Sequence, residues 1–391
     1  MPDRVTPFTE SPERQQLREE VAKLGRRFGG EYLRECTREG RKTTELWDAV
    51  AHAGYLGVAV DERWGGGGGD IGDLAAVMEE LSAAGCPLLL MVVSPAICGT
   101  VIQQFGTDEQ KDRWMPGFAD GSLTMVFAIT EPEAGSNSHN LATSVRHDAD
   151  TGEWVLSGSK YYISGVDEAS HALVVARHRQ PDGTLGLPSA FIVPTDAPGF
   201  TKQVIPMDIA MPEKQFTLFL DDVRVPADAL VGDASAGLAQ LFAGLNPERI
   251  MGAASALGMA RYALDKATAY ARTRQVWSTP IGAHQGIAHP LAHCAIQVEL
   301  ARLMTQKAAA LYVAGAKGAG EAANMAKYAA ADASIAAVDQ AVQTHGGNGL
   351  ATEYGLGSLL VASRLARVAP VSREMILNYV SQHTLGLPRS Y

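Results

Sequence analysis

Residues 124–138 read Thr-Met-Val-Phe-Ala-Ile-Thr-Glu-Pro-Glu-Ala-Gly-Ser-Asn-Ser, an apolar run that ends abruptly in a polar loop. Val126 to Ile129 is short, uncharged and partly β-branched, the composition of a buried strand. Pro132 lacks the N–H that further pairing needs, and Gly135-Ser136-Asn137 is a turn sequence. Such a turn aims backbone N–H groups outward as an anion-binding nest, and the hydroxyls of Thr130 and Ser136 add donors beside it. The strand end suits a pyrophosphate or a polarised heterocycle better than a metal, although a plain structural turn can carry the same residues.

Outward from this stretch the pattern changes on both sides. Upstream, Ser11-Pro12-Glu13 is a helix start, and Leu17, Val21, Leu24, Phe28 and Tyr32 recur along one helical face. A second helix is expected from Thr43 to Ala53. Gly65 to Gly69 reads as a flexible turn, because no Lys-Ser/Thr follows to make a phosphate loop. Leu81 to Thr107 carries no charge, but Gly85, Pro87 and Pro95 interrupt it, which predicts a buried helix and not a membrane span. Within it Met91, Ser94 and Cys98 stand at helical spacing and are expected to line one apolar cavity. Downstream, residues 120–230 hold short alternating runs separated by turns, the mark of a β domain. Beyond Leu230 long helices rich in Ala, Leu and Met return, expected at about Pro247–Arg274, Gln285–Ala314, Glu321–His345 and Pro370–His383. The fold class is therefore α+β and mainly α: an N-terminal helical domain (1–119), a middle β domain (120–230) and a C-terminal four-helix-type bundle (231–391).

Composition bounds the function. The 391-residue chain carries a formal charge of −10, which argues against a nucleic-acid partner. Its four cysteines show no close pairing, and Met1 to Glu10 has no apolar core, so a cytoplasmic protein is expected. His289 and His293 share a helical face but lack a third ligand, so no metal site is expected. No Gly-x-Ser-x-Gly elbow or Cys-x-x-Cys pair is present.

The 124–138 stretch resembles the Thr-Glu-Pro-x-Ala-Gly-Ser-Asp signature of the acyl-CoA dehydrogenase family, flavoenzymes that desaturate acyl thioesters, with Asn137 in place of the usual Asp. Further family-like stretches follow in the family's order across nearly the whole chain. Thr107-Asp108-Glu109-Gln110-Lys111 is similar to its Gly-Thr-Glu-x-Gln-Lys segment. Gly158-Ser159-Lys160-Tyr161-Tyr162-Ile163-Ser164-Gly165 resembles Gly-x-Lys-x-Trp-Ile-Thr-Asn, with Tyr162 and Ser164 at the two flavin-contacting places. Tyr270 to Trp277, followed by Gln285, resembles the segment whose Arg and aromatic reach the FAD of a neighbouring subunit, and Arg274 and Trp277 occupy those places. Gln343-Thr-His-Gly-Gly-Asn-Gly349 resembles the turn at the adenosine part of FAD. The resemblance thus implies an FAD site formed by Thr130, Gly135, Ser136, Tyr162, Ser164, Arg274, Trp277, Gln285, Gln343, Gly346 and Gly347. It places Ser136 and Arg249 toward the substrate thioester, and Met91, Ser94 and Cys98 along the acyl chain. It also implies a homotetramer or homodimer, an acyl-CoA or acyl carrier protein thioester as substrate, and electron transfer flavoprotein as acceptor.

Dehydrogenating a thioester removes a weakly acidic α proton, so a carboxylate must face the flavin. Many family members supply it from an Ile-Tyr-Glu-Gly-Thr segment; here Arg373 stands at that place. An isovaleryl- and long-chain-type subset uses a Leu-Asp-x-Glu-Arg segment instead, and Leu245-Asn246-Pro247-Glu248-Arg249 matches it, making Glu248 the candidate base and Glu374 its nearest rival. Asn246 as N-cap and Pro247 as first helical residue would put Glu248 in a first turn, where the dipole lowers its basicity. Two other readings stay open: elimination or desulfination on an anionic acyl group held by Arg373, and a non-catalytic partner subunit.

Overall fold

In the computed structural model, which describes residues 10–234 and 238–389, helices flank a central sheet. Met1 to Thr9, part of the stretch read for its lack of an apolar core, lie outside the described residues. The first helices are α1 (Pro12–Glu39), α2 (Thr44–His52) and α3 (Ile71–Ala83). Ser11 caps α1 by accepting the Arg14 N–H, and Gly40 ends it in the left-handed region, as the Ser-Pro start and Gly stop require. Helix α3 was not anticipated as a separate element.

The uncharged stretch after α3 is not one regular helix. It runs as α4 (Leu89–Met91), a π-helical segment (Val92–Gly99) holding Pro95, and α5 (Thr100–Phe105), and α6 (Asp108–Asp120) follows behind a Thr107–Gln110 capping box. A π segment bonds i to i+5, so residues at three- and four-residue spacing no longer share a face.

Eight strands form one mixed sheet: β1 (Met125–Ala128), β2 (Ser144–His147), β3 (Trp154–Ser164), β4 (His171–Arg179), β5 (Leu185–Pro194), β6 (Phe200–Ile205), β7 (Gln215–Val225) and β8 (Leu230–Val231). The order is β6-β7-β3-β2-β4-β5-β8. Strands β1 and β2 both run parallel to β4, β1 against His171–Val174 and β2 against Arg177–His178. The chain therefore leaves the sheet at Ile129, makes the 130–143 excursion, and rejoins the same neighbour farther along. Val126 and Ala128 pack into one core and Met125 and Phe127 into the core on the opposite face, which is why this strand is apolar throughout.

The C-terminal part is α7 (Leu238–Thr273), the hairpin β9 (Gln275–Val276) and β10 (Thr279–Pro280), α8 (Gln285–Val313), α9 (Ala319–His345), α10 (Gly357–Val368) and α11 (Arg373–Tyr379). Helix α7 corrects the expected helix start at Pro247: the helix begins nine residues earlier and Pro247 lies inside it. Pro247 has no N–H to offer the carbonyl four residues back, and the Tyr312 hydroxyl of α8 donates to that Ala243 carbonyl at 3.0 Å instead. Asn246, free of any capping duty, accepts from Arg249 Nη1 at 2.9 Å. The C-terminal segment likewise starts later than expected, at Arg373, with Ser372 as its N-cap.

Candidate active site

Glu248 sits on the inner side of α7, well past its first turn, so the helix dipole does not hold its carboxylate down. Burial pushes it up to about 7, against the attraction of the Arg249 guanidinium and the Lys327 ammonium. Such a carboxyl changes charge near neutrality, as a general base should. Cys98, fully buried, lies within its field, and the thiol is raised well above its ordinary value by burial and by that carboxylate. Arg249 is itself lowered by burial, and its Nε has no hydrogen-bond partner among the described residues.

The other sequence-derived positions fall into two groups on this chain. The first lies in the β domain. Gly135 and Ser136 are exposed on the excursion, nothing lies within 4 Å of where a Gly135 Cβ would stand, and Thr130 accepts the Tyr161 N–H at 2.8 Å. Tyr162, half exposed, takes a φ of +57° where β3 slips register against β7, an unusual backbone for a tyrosine. Ser164 Oγ donates to Gln215 Oε1 at 2.9 Å. Ile129 and Leu245 pack on the same core as Cys98, which joins this strand end to the start of α7 near Glu248.

Two residues the sequence reading passed over hold that loop. Lys160 Nζ lies 2.7 Å from Glu131 Oε1 and donates to the Ile129 carbonyl at 3.1 Å, while Glu131 accepts the N–H groups of Ala142 and Thr143 at 2.6 and 3.0 Å. One buried pair thus pins both ends of the excursion. Both residues stood inside the quoted motifs, where nothing in the strings alone marked them as a pair.

The second group lies at the far end of α7. Arg274 and Gln285 are exposed, Trp277 projects 91 % exposed at the hairpin tip with a φ of +56°, and Gln343, Gly346 and Gly347 are exposed at the end of α9. Tyr270 stacks on His345 at 4.2 Å and its hydroxyl accepts from Asn348 at 3.0 Å, so the hairpin and the glycine turn share one surface. Glu248 and Thr273 are 25 residues apart on α7, about 38 Å at the helical rise, so one chain's two groups cannot enclose the same ring system.

The three residues expected along the acyl chain have different surroundings. Met91 enters the helical core, Ser94 turns to the sheet and accepts the Met125 N–H at 3.1 Å, and Cys98 enters the core on which Ile129 and Leu245 pack, within the field of Glu248. The π segment separates positions that α-helical spacing would align. Arg373 donates to the Tyr328 hydroxyl at 3.0 Å and lies 3.7 Å from Asp332. Glu374 is exposed.

Three domain families match in order: the acyl-CoA dehydrogenase N-terminal domain at residues 11–122, the middle domain at 126–223 and the C-terminal domain at 235–385. The chain belongs to the acyl-CoA dehydrogenase family. It is 60 % identical over 387 residues to the acyl-CoA dehydrogenase FadE12 of Mycobacterium tuberculosis, covering 99 % of each chain. Among solved structures it resembles butyryl-CoA dehydrogenase from Megasphaera elsdenii (27 % identity, TM-score 0.91, 97 % of this chain and 100 % of that one). It also resembles the electron transferring flavoprotein of Acidaminococcus fermentans (28 % identity, TM-score 0.91, 97 % of this chain and 100 % of that one). FAD is the cofactor of this family, and the open glycine positions at 135, 346 and 347 and the exposed rings of Tyr162 and Trp277 fit a dinucleotide with a planar ring system. No helix among the described residues is long and apolar enough to cross a membrane, and among them no three His, Cys, Asp or Glu residues are grouped to hold a metal.

Proposed function

We propose that the protein desaturates an acyl-CoA thioester, with Glu248 taking the α proton, as in the isovaleryl- and long-chain-type members that carry the base at this place. The observation that supports this reading is a half-buried carboxyl on α7 that desolvation raises to about 7 and whose field reaches the buried thiol of Cys98. When bound, FAD supplies the acceptor for the β hydride. Thr130, Gly135, Ser136, Tyr162 and Ser164 hold the flavin from the β domain. Ser136 and Arg249 face the CoA thioester, and the backbone N–H at position 373 donates to its carbonyl, where developing enolate charge needs a donor.

Arg274, Trp277, Gln285, Gln343, Gly346 and Gly347 complete the FAD site of a second copy. An open groove of about 790 Å3 beside the hairpin, lined by Leu264, Ala271, Leu291 and Val298, and the exposed Ile296, Leu300 and Leu303 of α8 favour such an assembly, a dimer or tetramer. Electron transfer flavoprotein is the proposed acceptor, and the free, buried cysteines suit a cytoplasmic location. The pairing of Arg373 with Tyr328 and Asp332 speaks against its holding an anionic acyl group.

Stopped-flow bleaching of the flavin by a panel of acyl thioesters tests the reading. Glu248→Gln should slow reduction about 100- to 10,000-fold while FAD content survives. Near-normal reduction in Glu248→Gln, or a collapse in Glu374→Gln instead, overturns the assignment.

A further inference from the structure

A cavity of about 180 Å3 lies between the N-terminal helices and the sheet, lined by none of the residues assigned to the candidate active site. Its volume equals about six waters at their share of liquid volume, the scale of a small organic molecule. Its walls come from separate parts of the chain: the starts of α2 and α4, Thr124 before β1, the turn after β3 and the segment that enters β7.

Part of the lining is acidic. Glu213 is 5 % exposed; its Oε1 accepts the Leu89 N–H at 3.1 Å, and its buried Oε2 has no hydrogen-bond partner among the described residues. Glu168 lines the same cavity. Burial pushes the Glu213 carboxyl up to about 7, and the nearby charge of Glu168 adds to the rise. A buried carboxyl oxygen with no donor is costly, and a primary ammonium, with three N–H groups, supplies both the donor and the opposite charge.

Another part is positive. Lys42 and Thr44 border the cavity at the start of α2, where no side chain caps the helix, so that end favours an anion. Lys42 Nζ donates to the Asp167 carbonyl at 2.6 Å, which fixes its charge at the rim. Trp47, Leu88 and Leu90 add apolar surface. A simple cation would meet Lys42 and the helix end, and a simple anion would meet Glu213 and Glu168. A ligand with both charges and an aliphatic branch meets each part of the lining with its complement.

We propose that this cavity binds a small aliphatic α-amino acid, its ammonium on Glu213 Oε2 and Glu168, its carboxylate toward Lys42 and the start of α2, and its side chain against Leu88 and Leu90. The site does not rest on the assignment of Glu248. It adjoins the end of β3: the Gly165 N–H donates to the Lys214 carbonyl at 2.9 Å, Leu90 fills the space where a Gly165 Cβ would stand, and Ser164 bonds Gln215, which follows Lys214.

The test is calorimetric titration of the FAD-loaded protein with L-alanine, L-valine and L-leucine. At least one should bind saturably with a Kd of about 1 mM or tighter. Isovalerate, which lacks the ammonium, and n-butylammonium, which lacks the carboxylate, should each bind about tenfold more weakly or not at all. Glu213→Gln keeps the acceptor of the Leu89 N–H and removes the charge; it should weaken the amino acid about tenfold or more while FAD content stays full. Absence of saturable binding by all three amino acids, isovalerate or n-butylammonium binding as tightly as they do, or unchanged affinity in Glu213→Gln overturns the proposal. Should Glu213→Gln lose its fold, Glu168→Gln is read by the same criterion.

Discussion

The hydroxyl of Tyr312 on α8 donates to the Ala243 carbonyl on α7 at 3.0 Å, in the place of the bond that Pro247 cannot make. That contact lets one helix run through a proline and carry Glu248 on its interior. Tyr312→Phe should leave the carbonyl unsatisfied at a cost of about 1–3 kcal/mol, and loosen the turn bearing Glu248. Chemical denaturation should show the loss, together with slower flavin reduction at unchanged FAD content. Full stability and full rate in the variant would refute the bridging role.

Glu131 and Lys160 form the second interior contact on which the site depends, with the lysine side chain wholly buried and the glutamate side chain 5 % exposed. Lys160→Met strands a carboxylate that also receives two backbone N–H groups, and should cost about 3–5 kcal/mol and weaken FAD retention. The double change Lys160→Met with Glu131→Gln should cost less than the sum of the two single changes, which a double-mutant cycle measures.

Glu248 should oppose stability as it ionises. Its folded-state value of about 7 lies above the ordinary 4.5, so the folded chain binds this proton more tightly than the unfolded chain does. The contribution is fully present below pH 4.5 and is lost as the pH rises through 7. Glu248→Gln should therefore melt at a higher temperature than the parent at pH 8, with the difference vanishing near pH 4.5. Glu10, Glu80 and Glu131 have the opposite sign: arginine or lysine partners hold them below 4.5, and their contribution is lost as the pH falls through their lowered values. Thermal scans across pH separate the two behaviours.

Ser94 and Cys98 should respond differently to substitution. Ser94→Ala removes the acceptor of the Met125 N–H and should cost about 1–3 kcal/mol without altering the preference for acyl length. Cys98→Phe adds bulk beside Glu248 and should shift that preference toward shorter chains. A chain-length profile of flavin reduction decides, and a profile that moves with Ser94 but not with Cys98 would reverse the assignment.

Arg274→Ala should weaken FAD binding and loosen the oligomer together, because the residue lies at the end of α7 remote from Glu248. Sedimentation and flavin absorbance measured on one sample check the link. An isolated, stable monomer with full FAD occupancy would contradict a site shared between copies.

The sequence alone determined the alternation of helical, β and helical parts, because burial imposes a two-residue period on strands and a three-to-four-residue period on helices. It also carried the family, since the Thr130–Ser136 loop, the Tyr162–Ser164 segment, Arg274 and the Gly346-Gly347 turn are local strings whose residues need no partner to be recognised. Pro247, by contrast, looked like a helix start, and only Tyr312, 65 residues away in the chain, shows why the helix passes through it. The π segment likewise hid the fates of Met91, Ser94 and Cys98, for a change in helical period is set by the packing on both sides and not by the residues within it. The burial of Lys160 and Lys327 is visible only once the fold encloses them. Solvation of a charge depends on every element around it, so the raised carboxyl of Glu248 belongs to the tertiary structure and not to any stretch of sequence.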